Sequence, residues 1–154
     1  MKTRKRLVAT AIVVALTLTL GGIALAAKPS TQLKATLNIG QEVPKPLVKA
    51  TGGTGTFTGT LIGSKLTWTL TFQKLTGPAS AAHIHLARPG KAGPVAVPLC
   101  GPCTSGASGT ATLSAAQVAA VVGGGAYVNV HTAKNPNGEI RGQITQAAAG
   151  KKRY

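Results

Sequence analysis

The chain has 154 residues, a net charge of +15 from 17 lysines and arginines against two carboxylates, and only 3% aromatic residues. That length fits one domain with a real core. With Glu42 and Glu139 as its only acids, and no nucleophile-elbow or phosphate-loop string, the chain offers little for hydrolytic catalysis, and its few aromatics argue against base stacking with nucleic acid.

The first segment has the pattern of a secretory signal. Lys2, Arg4, Lys5 and Arg6 form a basic n-region, Leu7 to Leu20 is an uncharged apolar run, and Ala24-Leu25-Ala26 is a small-x-small cleavage pattern. Residues 1–26 are therefore expected to be a signal peptide cut between Ala26 and Ala27. The competing reading is a membrane anchor left uncleaved, because the uncharged stretch from Leu7 to Ala27 is 21 residues long. Cleavage would send out 128 residues carrying 13 basic residues and both acids, a net charge of +11, with no stable membrane insertion. The lysines are scattered apart from the tail cluster Lys151-Lys152-Arg153. Diffuse charge of this kind predicts weak attraction to anionic cell-surface polymers and no specific nucleic-acid partner.

Residues 27–31 read as a linker, and Gln32 to Ile39 as the first strand, with Leu33, Ala35, Leu37 and Ile39 in alternation. Pro44 and Pro46 break it into a loop. Gly53 to Leu61 has the Thr- and Gly-rich composition of a strand with close contacts. In Lys65 to Lys74, Leu66, Trp68, Leu70 and Phe72 share one face and Thr67, Thr69 and Thr71 the other, which makes Trp68 a core anchor. The strand bearing His83 and His85 follows, then a turn at Arg88-Pro89-Gly90 and a short strand from Val95 to Leu99. After Ser108 to Leu113, Ser114 and Gln117 form a capping box for a helix over Ala115 to Val122, ended by Gly123-Gly124-Gly125. Two half-buried strands, Ala126 to Thr132 and Glu139 to Gln146, flank a turn at Asn135-Pro136-Asn137-Gly138. Residues 147–154 read as a disordered basic tail. Seven or eight short strands separated by turns indicate an antiparallel sandwich or barrel with one short helix.

Cys100-Gly101-Pro102-Cys103 matches the active-site string of thioredoxins, which would make a thiol–disulfide protein a third functional class. The glycine- and serine-rich continuation cannot form the helix that such a site needs, and exported cysteines pair, so a loop-stapling disulfide between Cys100 and Cys103 is expected.

Parity places His83, His85, Tyr127, Asn129, His131, Glu139, Arg141 and Gln143 on the face opposite the apolar residues of their strands. His83, His85 and His131 could hold zinc or copper with an open fourth position. Alternatively they belong to a structural network in which His131 faces Glu139, Asn129 faces Arg141 and Tyr127 faces Gln143, with Glu139 held between imidazole and guanidinium groups.

The same residues carry a resemblance. His83-Ile84-His85, Gly93-Pro94-Val95, Tyr127-Val128-Asn129-Val130-His131-Thr132 and Asn135-Pro136-Asn137-Gly138-Glu139-Ile140-Arg141-Gly142 resemble the CHRD domain, named for repeats in chordin and found in many secreted bacterial proteins. Gln41-Glu42-Val43-Pro44 and Gly53-Thr54-Gly55-Thr56-Phe57 also fit, so the resemblance covers residues 32–146. It implies an all-β, immunoglobulin-like antiparallel sandwich outside the cytoplasm and says little about activity. The His-x-His strand is also similar to that of copper–zinc superoxide dismutases, although three histidines and no aspartate are too few for a two-metal site. The leading expectation is a secreted, non-enzymatic binding or structural module. The alternative is a zinc- or copper-binding protein with weak dismutase-like activity.

Overall fold

A computed structural model describes residues 28–48 and 51–147. The expected signal peptide, residues 1–26, and residues 148–154 of the expected tail lie outside the described residues. The strands are β1 Ser30–Asn38, β2 Thr54–Ile62, β3 Lys65–Gln73, β4 Ala79–Leu86, β5 Val95–Cys100, β6 Ala107–Thr112, β7 Ala126–Thr132, β8 Ile140–Gln143 and β9 Thr145–Gln146. Among the described residues one α-helix, α1, spans Ala115–Val122 and lies between β6 and β7. It starts where Ser114 and Gln117 cap each other's backbone N–H groups reciprocally.

All neighbours pair antiparallel in the order β5-β4-β7-β8-β1-β2-β3-β6. The seam between the two halves is thin. β8 meets β1 through the single pair Asn38 and Arg141, and β9 meets β1 further along. The two halves fold face to face over one apolar cluster. Leu33, Leu37, Phe57, Leu61, Leu66, Trp68 and Leu70 come from one side, and Ala82, Ile84, Val97, Val128 and Val130 from the other. This is an all-β antiparallel sandwich, nearly closed into a barrel, as the strand count and turn spacing indicated.

In β3 the alternation is strict: Leu66, Trp68 and Leu70 are buried, and Thr67, Thr69 and Thr71 are exposed. Gly59 and Gly109 lie opposite Trp68 on the two flanking strands, and Gly109 leaves room for the indole, since a Cβ there would stand 2.9 Å from it.

Several boundaries differ from the sequence reading, most by one residue. Ser30 and Thr31 belong to β1 rather than to a linker, because the ladder with β2 continues to the pair Ser30 and Ile62. β1 ends at Asn38, whose side chain caps a 3-10 turn over Ile39–Gln41. The last strand is two strands. Ile144 N still donates to Ala126 O of β7, and Thr145 and Gln146 then pair with β1 instead. Ile144 sits at the switch, fully buried.

A larger difference concerns β7, which was expected to be half-buried. All seven of its residues are buried. Its apolar side meets the core, and its polar side is roofed by the segments after β1, β4 and β7.

Candidate metal centre

The site is the roofed outer face of β4, β7 and β8. Its register is set by His83 opposite Asn129, His85 opposite Tyr127, Asn129 opposite Arg141 and Tyr127 opposite Gln143. His131 lies diagonal to His83, because its own partner on β4 is Ala81. One donor atom from each of His83, His85 and His131 lies within 4.8 Å of the other two. Only His83 keeps an exposed edge; His85 and His131 are each 8% exposed.

Two tautomers follow from the backbone. His85 Nδ1 is 3.0 Å from the Gly93 carbonyl oxygen and His131 Nδ1 is 2.9 Å from that of Pro136. A carbonyl only accepts, so each Nδ1 carries the proton and each Nε2 presents a lone pair. His85 Nε2 is buried and has no partner. His131 Nε2 stands 3.2 Å from His83 Nδ1. Two nitrogens bound tetrahedrally at the usual zinc distance would be about 3.3 Å apart, so that spacing suits two ligands of one ion. Carbonyl acceptors behind metal-facing imidazoles are the usual outer support of such sites. The reach of Gly93 depends on its lacking a side chain, since a Cβ there would stand 2.0 Å from the Leu86 carbonyl oxygen.

All three imidazoles are held neutral. Burial lowers His131 to about 4, against a backbone hydrogen bond that raises it, and the other two histidines add to the lowering. Burial also lowers His83, with His85 adding to the lowering, and it lowers His85 against the Gly93 hydrogen bond, with Arg141 adding to the lowering. Neutral imidazole is the form that binds metal.

Beside the cluster runs a stack. The Tyr127 ring lies on His85 with centroids 4.9 Å apart at 11°, and the Arg141 guanidinium carbon sits 3.4 Å from the Tyr127 centroid. Arg141 is 1% exposed, and its Nη2 donates to Arg88 O and Gln143 Oε1.

Glu139 is not where the sequence reading put it. Its carboxylate accepts from Thr76 N and Oγ, Thr132 Oγ and Asn135 Nδ2, rather than from an imidazole or a guanidinium. Burial pushes its pKa up, but these bonds outweigh burial and hold it below the ordinary value. The physical reason is that the β7–β8 ladder ends at Val130 and Ile140. Beyond it the turn carries Glu139 away from His131 and under Asn135, which also clamps Val48 through both its amide atoms.

The carboxyl nearest Arg141 is Glu42, from the segment after β1, and it is fully buried. Burial raises its pKa to about 7, against the opposing pull of Asn129 and Arg141. Asn129 Nδ2 donates to Glu42 Oε2 at 3.1 Å, while Glu42 Oε1 and Asn129 Oδ1 are both buried without partners. A proton on Oε1 would turn that oxygen from an unmatched acceptor into a donor, in line with the raised pKa. Gly138, at φ +129°, packs so close that a Cβ would stand 2.6 Å from Asn129 Oδ1 and 2.8 Å from Glu42 Oε2. Sequence reasoning missed Thr76, Glu42 and the two carbonyls as parts of this site. The Gln41-Glu42-Val43-Pro44 and Gly93-Pro94-Val95 blocks were the available signals.

Cys100 and Cys103 are joined by a disulfide, with Cα atoms 5.3 Å apart, and no cysteine is free. Cys103 forms an isolated bridge to Ala79, and an irregular stretch leading to β6 follows rather than a helix. The dipole-assisted thiolate of a thioredoxin-type site therefore has no basis here.

Among the described residues no helix is long and apolar enough to cross a membrane. No match was found among curated proteins or among solved structures. The family model of the CHRD domain matches residues 33–144, which takes in β1 from Leu33 onward and all of β2 to β8. The chain belongs to the CHRD domain family.

Proposed function

We propose that this protein is an exported binding module whose specific feature is a three-histidine site for a transition metal, formed by His83, His85 and His131. The observation that carries the reading is the unpartnered, buried Nε2 of His85, turned inward because its Nδ1 is committed to Gly93. A buried nitrogen without a partner costs about 1–3 kcal/mol, and a metal ion would remove that cost. Export rests on the signal-like segment at residues 1–26 and on membership of a family typical of extracellular proteins. The described lysines are all exposed and dispersed, which supports weak, unspecific attraction to anionic surface polymers as a by-product.

A purely structural polar face is the second reading, favoured by the His83–His131 contact of 3.2 Å. Metal analysis and thermal melts of protein made without a histidine tag separate the two. On the metal reading, zinc or copper binds one per chain and raises the melting temperature, and His85→Ala abolishes binding at little cost to the metal-free fold. On the structural reading, neither ion shifts the melt, and His85→Ala costs about 1–3 kcal/mol.

A further inference from the structure

We infer that the ion favoured by the three imidazoles is monovalent copper, in preference to zinc and other divalent ions; the inference rests on the metal-site reading above. The first argument is charge. The donor set is neutral, and no carboxylate or thiolate joins the cluster among the described residues. The full charge beside the site is positive: Arg141 opposes a cation at His85 across one tyrosine ring, and Glu42, the carboxyl nearest Arg141, offsets it only in part. At a separation of about 8 Å and an effective dielectric of about 20, that repulsion lowers affinity roughly thirtyfold for each unit of charge on the ion. A monovalent ion meets this penalty once and a divalent ion twice.

The second argument is coordination number. Zinc in proteins is almost always four-coordinate, so here it would need water as its fourth ligand. Among the described residues no fourth histidine, cysteine or carboxylate reaches the cluster. His85 Nε2 is shut off from solvent and His131 is nearly so, which leaves a water only the exposed edge of His83 as a way in. Imidazole suits copper, and the monovalent ion is satisfied by three nitrogen donors. The two cysteines, which would compete for it as thiolates, are tied to each other.

The test uses full-length, metal-free protein without a histidine tag. It is titrated anaerobically with Cu(I) against a chromogenic Cu(I) chelator, and separately with Zn(II) against a zinc chelator. The expected result is one Cu(I) per chain, lost in His85→Ala, with Cu(I) bound more tightly than Zn(II) by about tenfold or more. Arg141→Lys keeps the preference, and Arg141→Gln narrows it by roughly thirtyfold. Near-UV circular dichroism checks that each variant is folded. If Arg141→Gln does not fold, the wild-type competition decides alone. Zinc binding as tight as Cu(I) overturns the inference and leaves the three-histidine metal site standing. Binding of neither ion overturns both. An unchanged preference in folded Arg141→Gln also overturns the inference, because its electrostatic cause is gone.

Discussion

The two halves of the sandwich use the same alternation of residues for different ends. In β2 and β3 the inward face is apolar, and the outward face is a set of threonines in water. In β7 the inward face is equally apolar, but the outward face carries Tyr127, Asn129 and His131, all buried under loops. A polar face in water is nearly free of consequence, because solvent satisfies each group. A polar face under a roof must have each hydrogen bond supplied by protein, and every unsupplied one is costly. The unpartnered atoms there, on Glu42, His85, Asn129 and Arg141, lie at the candidate site, where a ligand or a proton can supply what the protein does not.

That contrast can be tested by substitution. The largest effect is expected from the shared core: Trp68→Ala should cost about 3–5 kcal/mol in chemical denaturation, with a cavity left between the glycines that flank it. On the roofed side, Glu139→Ala should cost about 2–4 kcal/mol, because donors on Thr76, Thr132 and Asn135 lose their acceptor together. A loss below 1 kcal/mol would mean that the roof opens readily to water and would erase the distinction between the halves.

The pH dependence sharpens the comparison. His83, His85 and His131 are lowered on folding, so their contribution is complete above about 6.5 and is lost as the pH falls, through about 4 for His131. Glu42 is raised on folding, so its contribution is complete below 4.5 and is lost as the pH rises through about 7. Between 4.5 and 6.5 the two trends oppose each other, and three histidines against one carboxyl should make net stability fall on acidification. Glu42→Gln replaces the protonated carboxyl with an amide that can donate to Asn129 Oδ1. Melting temperatures from pH 4 to 9 should show this variant gaining on the wild type by up to about 3 kcal/mol above pH 7. Parallel curves for the two proteins would contradict the proton placed on Glu42.

The smallest effect belongs to the open face. Thr69→Ala should change stability by no more than about 0.5 kcal/mol, since Thr69 is exposed with Thr58 and Ser108 as its cross-strand neighbours. A loss as large as that of Glu139→Ala would show that the outer face of β3 is covered in solution as well.

The sequence by itself determined most of the strands to within a residue or two, the helix cap, the family and the side of each strand on which the histidines lie. Those are local properties: alternation, capping and turn chemistry act over a few residues and survive without knowledge of neighbours. It also determined the β7–β8 register at Asn129 and Arg141, because a short turn leaves few alternatives. Only the tertiary structure decided that the polar face is buried, since part of the roof comes from far along the chain, with Glu42 and Val48 each 87 residues from their partners. It also decided which carboxyl faces Arg141. Glu139 is close in sequence, but the turn directs it to Thr76, while the distant Glu42 is brought in by the segment after β1. Strand parity says which face a side chain occupies. What covers that face, and therefore its charge state and its chemistry, depends on how the loops close over the assembled sheet.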